Sequence, residues 1–134
     1  MQIDKAVTAP GVFAPARTFS VVRDPAGLYL IYTGRAMSLA RPEAAGVAGM
    51  LAAKPLDRIA AKRLAEIDAV EARLRHDGAP ALKDSPYSRC IPNDQLQRIE
   101  IIEGAWPIVV IHAGKKVKLH FQHHDLATVR AMFA

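Results

Sequence analysis

The amino-acid sequence predicts an α+β domain in which two β blocks form a curved antiparallel sheet or a partial barrel. Residues 19–33 and 88–122 are rich in β-branched and aromatic side chains and show the two-residue period of strands. The intervening residues 40–78 are rich in Ala, Leu, Glu, Lys and Arg, which favour helices. An apolar stripe over residues 126–133 predicts a C-terminal helix that covers one end of the sheet.

Length and composition predict a globular protein. A chain of 134 residues, of which 51% are hydrophobic, can bury an apolar core without a metal or a disulfide. Its single cysteine, Cys90, cannot form an internal disulfide, which favours a reducing compartment. The first residues lack the pattern of an export signal, and no apolar run approaches the roughly 20 residues of a membrane span. A cytoplasmic protein is therefore expected.

The chain is expected to form a single domain, residues 1–134, with four successive parts. The first part is assigned as an extended lead-in because prolines and a glycine interrupt any hydrophobic period there. The parts are the lead-in over residues 1–18, a first β block over 19–39, a helical insertion over 40–78, and a second β block with the C-terminal helix over 79–134.

The first β block begins with a predicted hairpin. Its strands, residues 19–23 and 28–33, flank the sequence Asp24-Pro25-Ala26-Gly27. In this turn proline presets one backbone angle, and glycine tolerates a positive φ. Residues 36–39 fit either a short third strand or a linker.

Two helices are predicted in the insertion, over residues 42–53 and 56–76, because Pro55 disfavours helical geometry at the residue before it. Gly78 fits a left-handed stop after the second helix. Apolar residues of the second helix recur near the 3.6-residue period, so the charged residues between them are expected to face water. The apolar residues are Ile59, Leu64, Ile67, Val70 and Leu74; the charged ones are Lys62, Glu66, Asp68, Glu71, Arg73 and Arg75, with i,i+4 pairs Lys62–Glu66 and Glu71–Arg75.

The second β block contains four predicted strands. Its last hairpin has two registers, and the preferred one is a two-residue turn at Gly114-Lys115 that pairs His112 with Val117. A three-residue loop would instead bring Val109 and Ile111 inward and turn His112 outward. The strands are residues 88–91, 96–102, 106–113 and 116–122, and the preferred register turns Lys116, Lys118 and His120 outward.

The C-terminal helix is predicted from its cap and its apolar stripe. Asp125 can accept a hydrogen bond from the first turn. The stripe consists of Leu126, Val129, Met132 and Phe133.

No metal, cofactor or catalytic set is predicted. The histidines near the end of the chain invite a metal site, but no nearby cysteine completes a ligand set, and lysines beside them would repel a cation. Cys90 lies in an apolar strand and is expected to be a small buried hydrophobe. An enzyme stays open as an alternative if folding brings His112 or the terminal histidines to a distant carboxylate. The histidines concerned are His112, His120, His123 and His124.

Candidate contact residues lie on the last hairpin. Alternate side chains of a strand share a face, so the basic strand is the best candidate for ligand contact, together with Arg23. The lysines could instead protect an edge strand from pairing with another chain. Trp106, which precedes Pro107, is a candidate interface anchor. The basic strand comprises Lys115, Lys116, Lys118 and His120.

The charge of the chain permits anionic partners. The net charge is +5, from 18 Lys and Arg against 13 Asp and Glu. Because the excess is spread along the chain and no basic tail exists, nucleic-acid binding is not favoured.

The order of elements resembles a pleckstrin-homology-like (PH-like) domain. The residues that carry the resemblance are the strand beginning Phe19-Ser20-Val21-Val22, the stretch from Ile91-Pro92 to Ile101, the last hairpin and the terminal helix. It covers residues 17–39 and 88–134, and it implies an open barrel with a helix plugging one mouth. Lipid-binding members of this superfold gather several Lys and Arg around the first hairpin, whereas the turn here offers only Arg23.

The sequence therefore favours a non-catalytic binding module. The first hypothesis is a protein-interaction or assembly module, including self-association, because the chain has an amphipathic helix and a candidate anchor in Trp106. The alternative is an anionic membrane surface bound through the basic strand and Arg23.

Overall fold

The computed structural model describes residues 1–8, 15–36 and 46–133; for residues 46–57 it describes the backbone only. Within these residues the chain forms one antiparallel sheet of seven strands, with three α-helices, which confirms the α+β class. The elements are β1 (Gln2–Thr8), β2 (Arg17–Asp24), β3 (Gly27–Arg35), α1 (Gly46–Asp77), α2 (Ala79–Leu82), β4 (Arg89–Pro92), a 3₁₀ turn (Asn93–Gln95), β5 (Arg98–Ile102), β6 (Ile108–Ala113), β7 (Lys115–His120) and α3 (Leu126–Phe133).

The strands pair in the order β4-β3-β2-β1-β7-β6-β5. The two β blocks meet where Val7 of β1 lies opposite His120 of β7. The predicted first hairpin is confirmed, with Asp24 opposite Gly27. The Asp24 carboxylate accepts hydrogen bonds from the Ala26 and Gly27 amides, at 2.8 and 3.0 Å, and so fixes the turn.

The inner face of the sheet packs against α3. The helix begins as predicted, because Asp125 accepts a hydrogen bond of 2.7 Å from the Thr128 amide. Its Phe133 ring meets Phe121 edge to face at 5.8 Å. Arg23, at the end of β2, donates to the Met132 carbonyl at 3.2 Å, which ties the helix to this end of the sheet. The large inner residues include Phe19, Val21, Leu28, Leu30, Ile91, Val109, Ile111, Leu119, Phe121, Val129 and Met132.

The outer face of the sheet is covered over β3 by α1 and α2. Ile31 and Tyr29 form a second apolar cluster with Leu74 and residues of α2. Gly34 allows α1 to approach, since a Cβ there would lie 2.8 Å from Ile67 Cγ1. The sheet is thus covered by helices on both faces.

The predicted lead-in contains a strand, β1, that the hydrophobic pattern did not indicate. Its ladder with β2 steps from Ile3 opposite Val21 to Ala6 opposite Phe19, so two residues of β1 face one of β2. This β-bulge, with Lys5 at φ +60°, breaks the two-residue alternation. Residues 9–14 of the lead-in lie outside the described residues.

The predicted break at Pro55 is wrong, because α1 continues through this residue as one helix. A proline inside a helix removes one backbone hydrogen bond, but the Ala-rich sequence on both sides favours the helix. The predicted stop is confirmed: α1 ends at Asp77, and Gly78 has φ +86°. Residues 37–39, expected as strand or linker, and 42–45, expected as helix, lie outside the described residues.

The preferred register of the last hairpin is also wrong. His112 lies opposite Lys116, and Ile111 lies opposite Val117, as the three-residue alternative requires. Residues 108–111 are apolar at every position, so the pattern alone does not choose a face. The observed register buries Val109 and Ile111 completely in the core.

A partly buried ion pair joins the bulge of β1 to α1. Lys5 Nζ lies 2.7 and 3.0 Å from the two carboxylate oxygens of Glu71 and 3.1 Å from Asp68 Oδ1. We call the Lys5–Glu71 contact the bulge ion pair. Beside it, Asp4 accepts a hydrogen bond of 2.7 Å from the Ser20 hydroxyl and pairs with Arg75.

Two expectations for α1 fail at the bulge ion pair. Glu71 was expected to face water and to pair with Arg75, yet it is only 4% exposed and binds Lys5. Burial raises the pKa of the Glu71 carboxyl, and the hydrogen bond from Lys5 opposes this. Burial would lower the pKa of Lys5, but its bonds to Glu71 and Asp68 outweigh burial and raise it above 10.5. The long-range contact between strand and helix therefore favours the charged form of Lys5.

Gly27 is a position at which β3 requires glycine. A Cβ there would lie 2.3 Å from the Ile91 carbonyl oxygen and 2.9 Å from Pro92 Cα, both backbone atoms. We expect Gly27→Ala to lower the free energy of unfolding by about 1–3 kcal/mol, measured by urea denaturation. The control is Gly104→Ala, where the nearest heavy atom is 3.9 Å away. Equal stability of the two variants would show that the backbone of β4 can move away from residue 27 without a loss of stability.

Candidate functional site: a basic rim at one end of the sheet

Basic residues collect at the end of the sheet opposite α3. They come from the places where β2, β4 and β7 begin and β3 ends. Because neighbouring strands are antiparallel, these positions share one edge of the fold. We call the five cations the basic rim: Arg17, Arg35, Arg89, Lys115 and Lys116.

Two rim arginines face each other across a strand pair. Arg17 of β2 lies directly opposite Arg35 of β3. Like charges in this position destabilise a sheet. The Arg17 guanidinium also lies over the Tyr87 ring, 4.1 Å from its centroid, a favourable cation–π contact. The Tyr87 ring, which is 61% exposed, therefore shares the same edge.

Arg89 connects the two β blocks at the rim. It donates hydrogen bonds to the carbonyl of Lys115, at 3.1 Å, and to that of Ala113. These carbonyls flank Gly114, whose φ of +76° shapes the turn between β6 and β7. Arg89 thus holds the turn that carries the exposed Lys115 and Lys116.

Only part of the predicted contact set comes together. Lys115 and Lys116 lie in the rim, and Lys118 is the next exposed residue on the face of Lys116. Arg23 lies at the opposite end, beside α3. The described pairing of β7 with β1 is confined to His120 and Val7, so the edge-protection alternative stays open for Lys115, Lys116 and Lys118.

Sequence reasoning missed Arg17, Arg35, Arg89 and Tyr87. The hairpin turn at residues 24–27 carried a usable signal, since counting outward from it brings residues 17 and 35 close together. Arg89 and Tyr87 carried none, because their position depends on how α1 and α2 return the chain to the sheet.

His120 lies on the outer face at the end of β7, opposite Val7, which pairs on its other side with Thr18 beside the rim residue Arg17. His120 was expected to face outward into solvent, yet it is only 8% exposed. Trp106, the candidate anchor, is half-buried and donates a hydrogen bond of 3.0 Å from Nε1 to His120 Nδ1. Burial and the charge of Lys118 lower the pKa of His120. The loop that carries Trp106 covers this histidine, which the strand pattern could not show.

The remaining candidate residues from the sequence are His112 and Cys90. His112 Nε2 lies 3.4 Å from Glu100 Oε1, but this nitrogen has no hydrogen-bond partner among the described residues. Burial, Arg98 and Lys116 lower the pKa of His112. Arg98 also pairs with Glu100, so the carboxylate is shared. Cys90, expected to be buried, is exposed.

No similarity identifies the function of the rim. The chain matches no protein-family model, no curated protein and no solved structure. Within residues 1–8, 15–36 and 46–133, no three His, Cys, Asp or Glu residues are grouped so that they could hold a metal ion. Over that part of the chain, no helix combines the length and apolar character needed to cross a bilayer. The rim's own residues therefore carry the functional proposal.

The Arg17–Arg35 pair makes a testable difference to stability. We expect Arg35→Glu to raise the free energy of unfolding at low salt by roughly 0.2–1 kcal/mol, because repulsion becomes attraction. The gain should shrink in 1 M NaCl, where charges are screened. Arg58→Glu, at an exposed position of α1, is the control and should show no such gain. A lower stability of Arg35→Glu at low salt would mean that the two arginines do not repel.

Proposed function

We propose that this protein is a non-catalytic binding domain that binds anionic membrane surfaces through the basic rim. The observation that carries the proposal is the convergence of five cations on one end of the sheet, two of them directly opposed. Each basic residue near an anionic bilayer contributes about 1 kcal/mol of attraction. Anionic headgroups would also relieve the repulsion between Arg17 and Arg35.

An extended anionic surface fits the rim better than a single small anion. The cations come from four strands and are distributed along one whole end of the sheet. The exposed Tyr87 ring among them suits the interface between headgroups and acyl chains, since tyrosine has an apolar body and a polar tip. Charge and aromatic contact would then act together.

We also propose that the domain is PH-like. The support is the strand order: two meanders, β1–β4 and β5–β7, are joined where β1 pairs with β7, and the sheet is open between β4 and β5, with α3 at one end. On this interpretation α1 and α2 are an insertion between β3 and β4.

Vesicle co-sedimentation tests the rim. We expect the wild type to bind vesicles containing phosphatidylserine but not neutral vesicles, and to lose binding as NaCl is raised. The triple variant Arg17→Glu, Lys115→Glu and Lys116→Glu should bind at least roughly tenfold more weakly. The control makes the same charge change outside the rim, at the exposed residues Lys62, Arg73 and Lys83. Equal loss in both variants would show that net charge, not the rim, governs binding.

A protein partner or a second copy is the other candidate function. The observation that favours it is on α1, where Ile59 and Leu64 are 47% and 49% exposed. Leu64 also borders a cleft of about 160 Å³ whose floor includes Val7 and Thr18. A wild type that ignores vesicles but associates in solution, with the association lost in Leu64→Asp, would favour this function over membrane binding.

A further inference from the structure

We propose that His120 and Trp106 form a proton-controlled latch. Neutral His120 holds the Trp106 indole on the outer face of the sheet, and protonation of His120 releases the indole with its loop, residues 103–106. This latch lies at the end of β7 near α3, in the cross-strand row His120–Val7–Thr18 that is next to Arg17. It involves none of the rim residues, so it does not depend on the proposed membrane function.

The hydrogen bond defines which tautomer of His120 is present. The indole nitrogen is a donor only, so the His120 Nδ1 that it contacts at 3.0 Å must be an unprotonated acceptor. The single proton of the neutral ring then lies on Nε2, which is buried and has no hydrogen-bond partner among the described residues. A second proton can enter only at Nδ1. Protonated Nδ1 would then be a donor facing the indole N–H, which is also a donor, so the hydrogen bond would be lost.

The surroundings offer the protonated ring no compensation. On β7 the charged neighbour on the same face is Lys118. Directly opposite on β6 and β1 lie the apolar residues Ile108 and Val7. The other ionisable groups around the latch are Glu103, which is paired with Arg130, Asp125, which caps α3, and His124, all three at the same cleft as Trp106. Lys5 is held by Glu71, and His123 is exposed.

The loop has few other attachments. Residues 103–107 form no helix or strand, and Pro107 is tied to the sheet by its carbonyl, which accepts a hydrogen bond of 2.9 Å from the Phe121 amide. The Glu103–Arg130 pair is exposed to solvent. The same loop forms one wall of a cleft of about 230 Å³, opposite Gln122 and His124. Release of Trp106 would therefore open this cleft.

The direction of the pH dependence follows from the lowered pKa of His120. The ordinary value is 6.5, and burial, followed by Lys118, lowers it in the folded chain. The stability that neutral His120 contributes is fully present above pH 6.5. It is lost as the pH falls through the lower pKa of the folded chain. The latch should accordingly open in mild acid.

Trp106 is the only tryptophan of the chain, so tryptophan fluorescence reports on the surroundings of this indole. Between pH 7.5 and 5.0 we expect a single emission change with a midpoint below 6.5, and at least a twofold rise in quenching by acrylamide. His120→Gln should abolish the transition in this range. His112→Gln is the matched control, because His112 lies on the same sheet face, also has a lowered pKa and does not contact the indole. It should keep the transition.

Circular dichroism over the same range separates release from unfolding. A helical signal that is constant while the emission changes supports the latch, and a signal lost at the same midpoint overturns it. A flat wild-type emission, or an unchanged transition in His120→Gln, also overturns it. If His120→Gln does not fold, nitrogen NMR of the wild type decides. We expect the Nε2–H tautomer of His120 at pH 7.5, and we expect the His120 and Trp106 indole signals to change with the same midpoint. The Nδ1–H tautomer would overturn the latch.

Discussion

The bulge ion pair between Lys5 and Glu71 is the interaction on which the arrangement of helix and sheet depends. Glu71 is almost completely buried, and an unpaired charge there would be strongly destabilising. Lys5 reaches it because the bulge, with its positive φ, places Asp4 and Lys5 together opposite Ser20. Asp4 then binds Ser20 and Arg75. Two adjacent residues of β1 thus fix the rotation of α1 over the sheet, which the small apolar cluster beneath it would specify less strictly.

The basic rim depends on this placement of α1. The chain leaves the sheet at Arg35 and returns to it at Arg89, so α1 and α2 determine where β4 begins. That return sets Tyr87 under Arg17 and directs Arg89 to the turn between β6 and β7. The rim keeps two directly opposed arginines, for which we expect a cost in stability, and such a cost is typical of sites retained for binding. The latch at the end of β7 shares no residue with the rim, although its cross-strand row runs next to Arg17.

Local chemistry predicted those elements whose signals lie within a few residues. The hairpin at residues 24–27 follows from its turn residues, and α3 follows from Asp125 and its apolar stripe. The register of β6 and β7 could not be predicted, because residues 108–111 are apolar on both faces. The strand β1 was not predicted because its bulge interrupts the two-residue pattern. The burial of Glu71 was not predicted because charged residues of a helix generally face water. The rim and the Trp106–His120 contact join residues that are not neighbours in sequence, and of these residues the sequence indicated only Lys115, Lys116, Trp106 and His120 as candidates.

A double-mutant cycle on Lys5 and Glu71 tests this interpretation most directly. Lys5→Met, Glu71→Gln and the double variant would be compared with the wild type by urea denaturation, with Glu66→Gln, an exposed residue of α1, as the control. Because the Lys5 side chain is 31% exposed, we expect a coupling energy of about 1–3 kcal/mol, below the full value of a buried pair. Losses that simply add, with coupling below roughly 0.5 kcal/mol, would contradict the central role of the bulge ion pair.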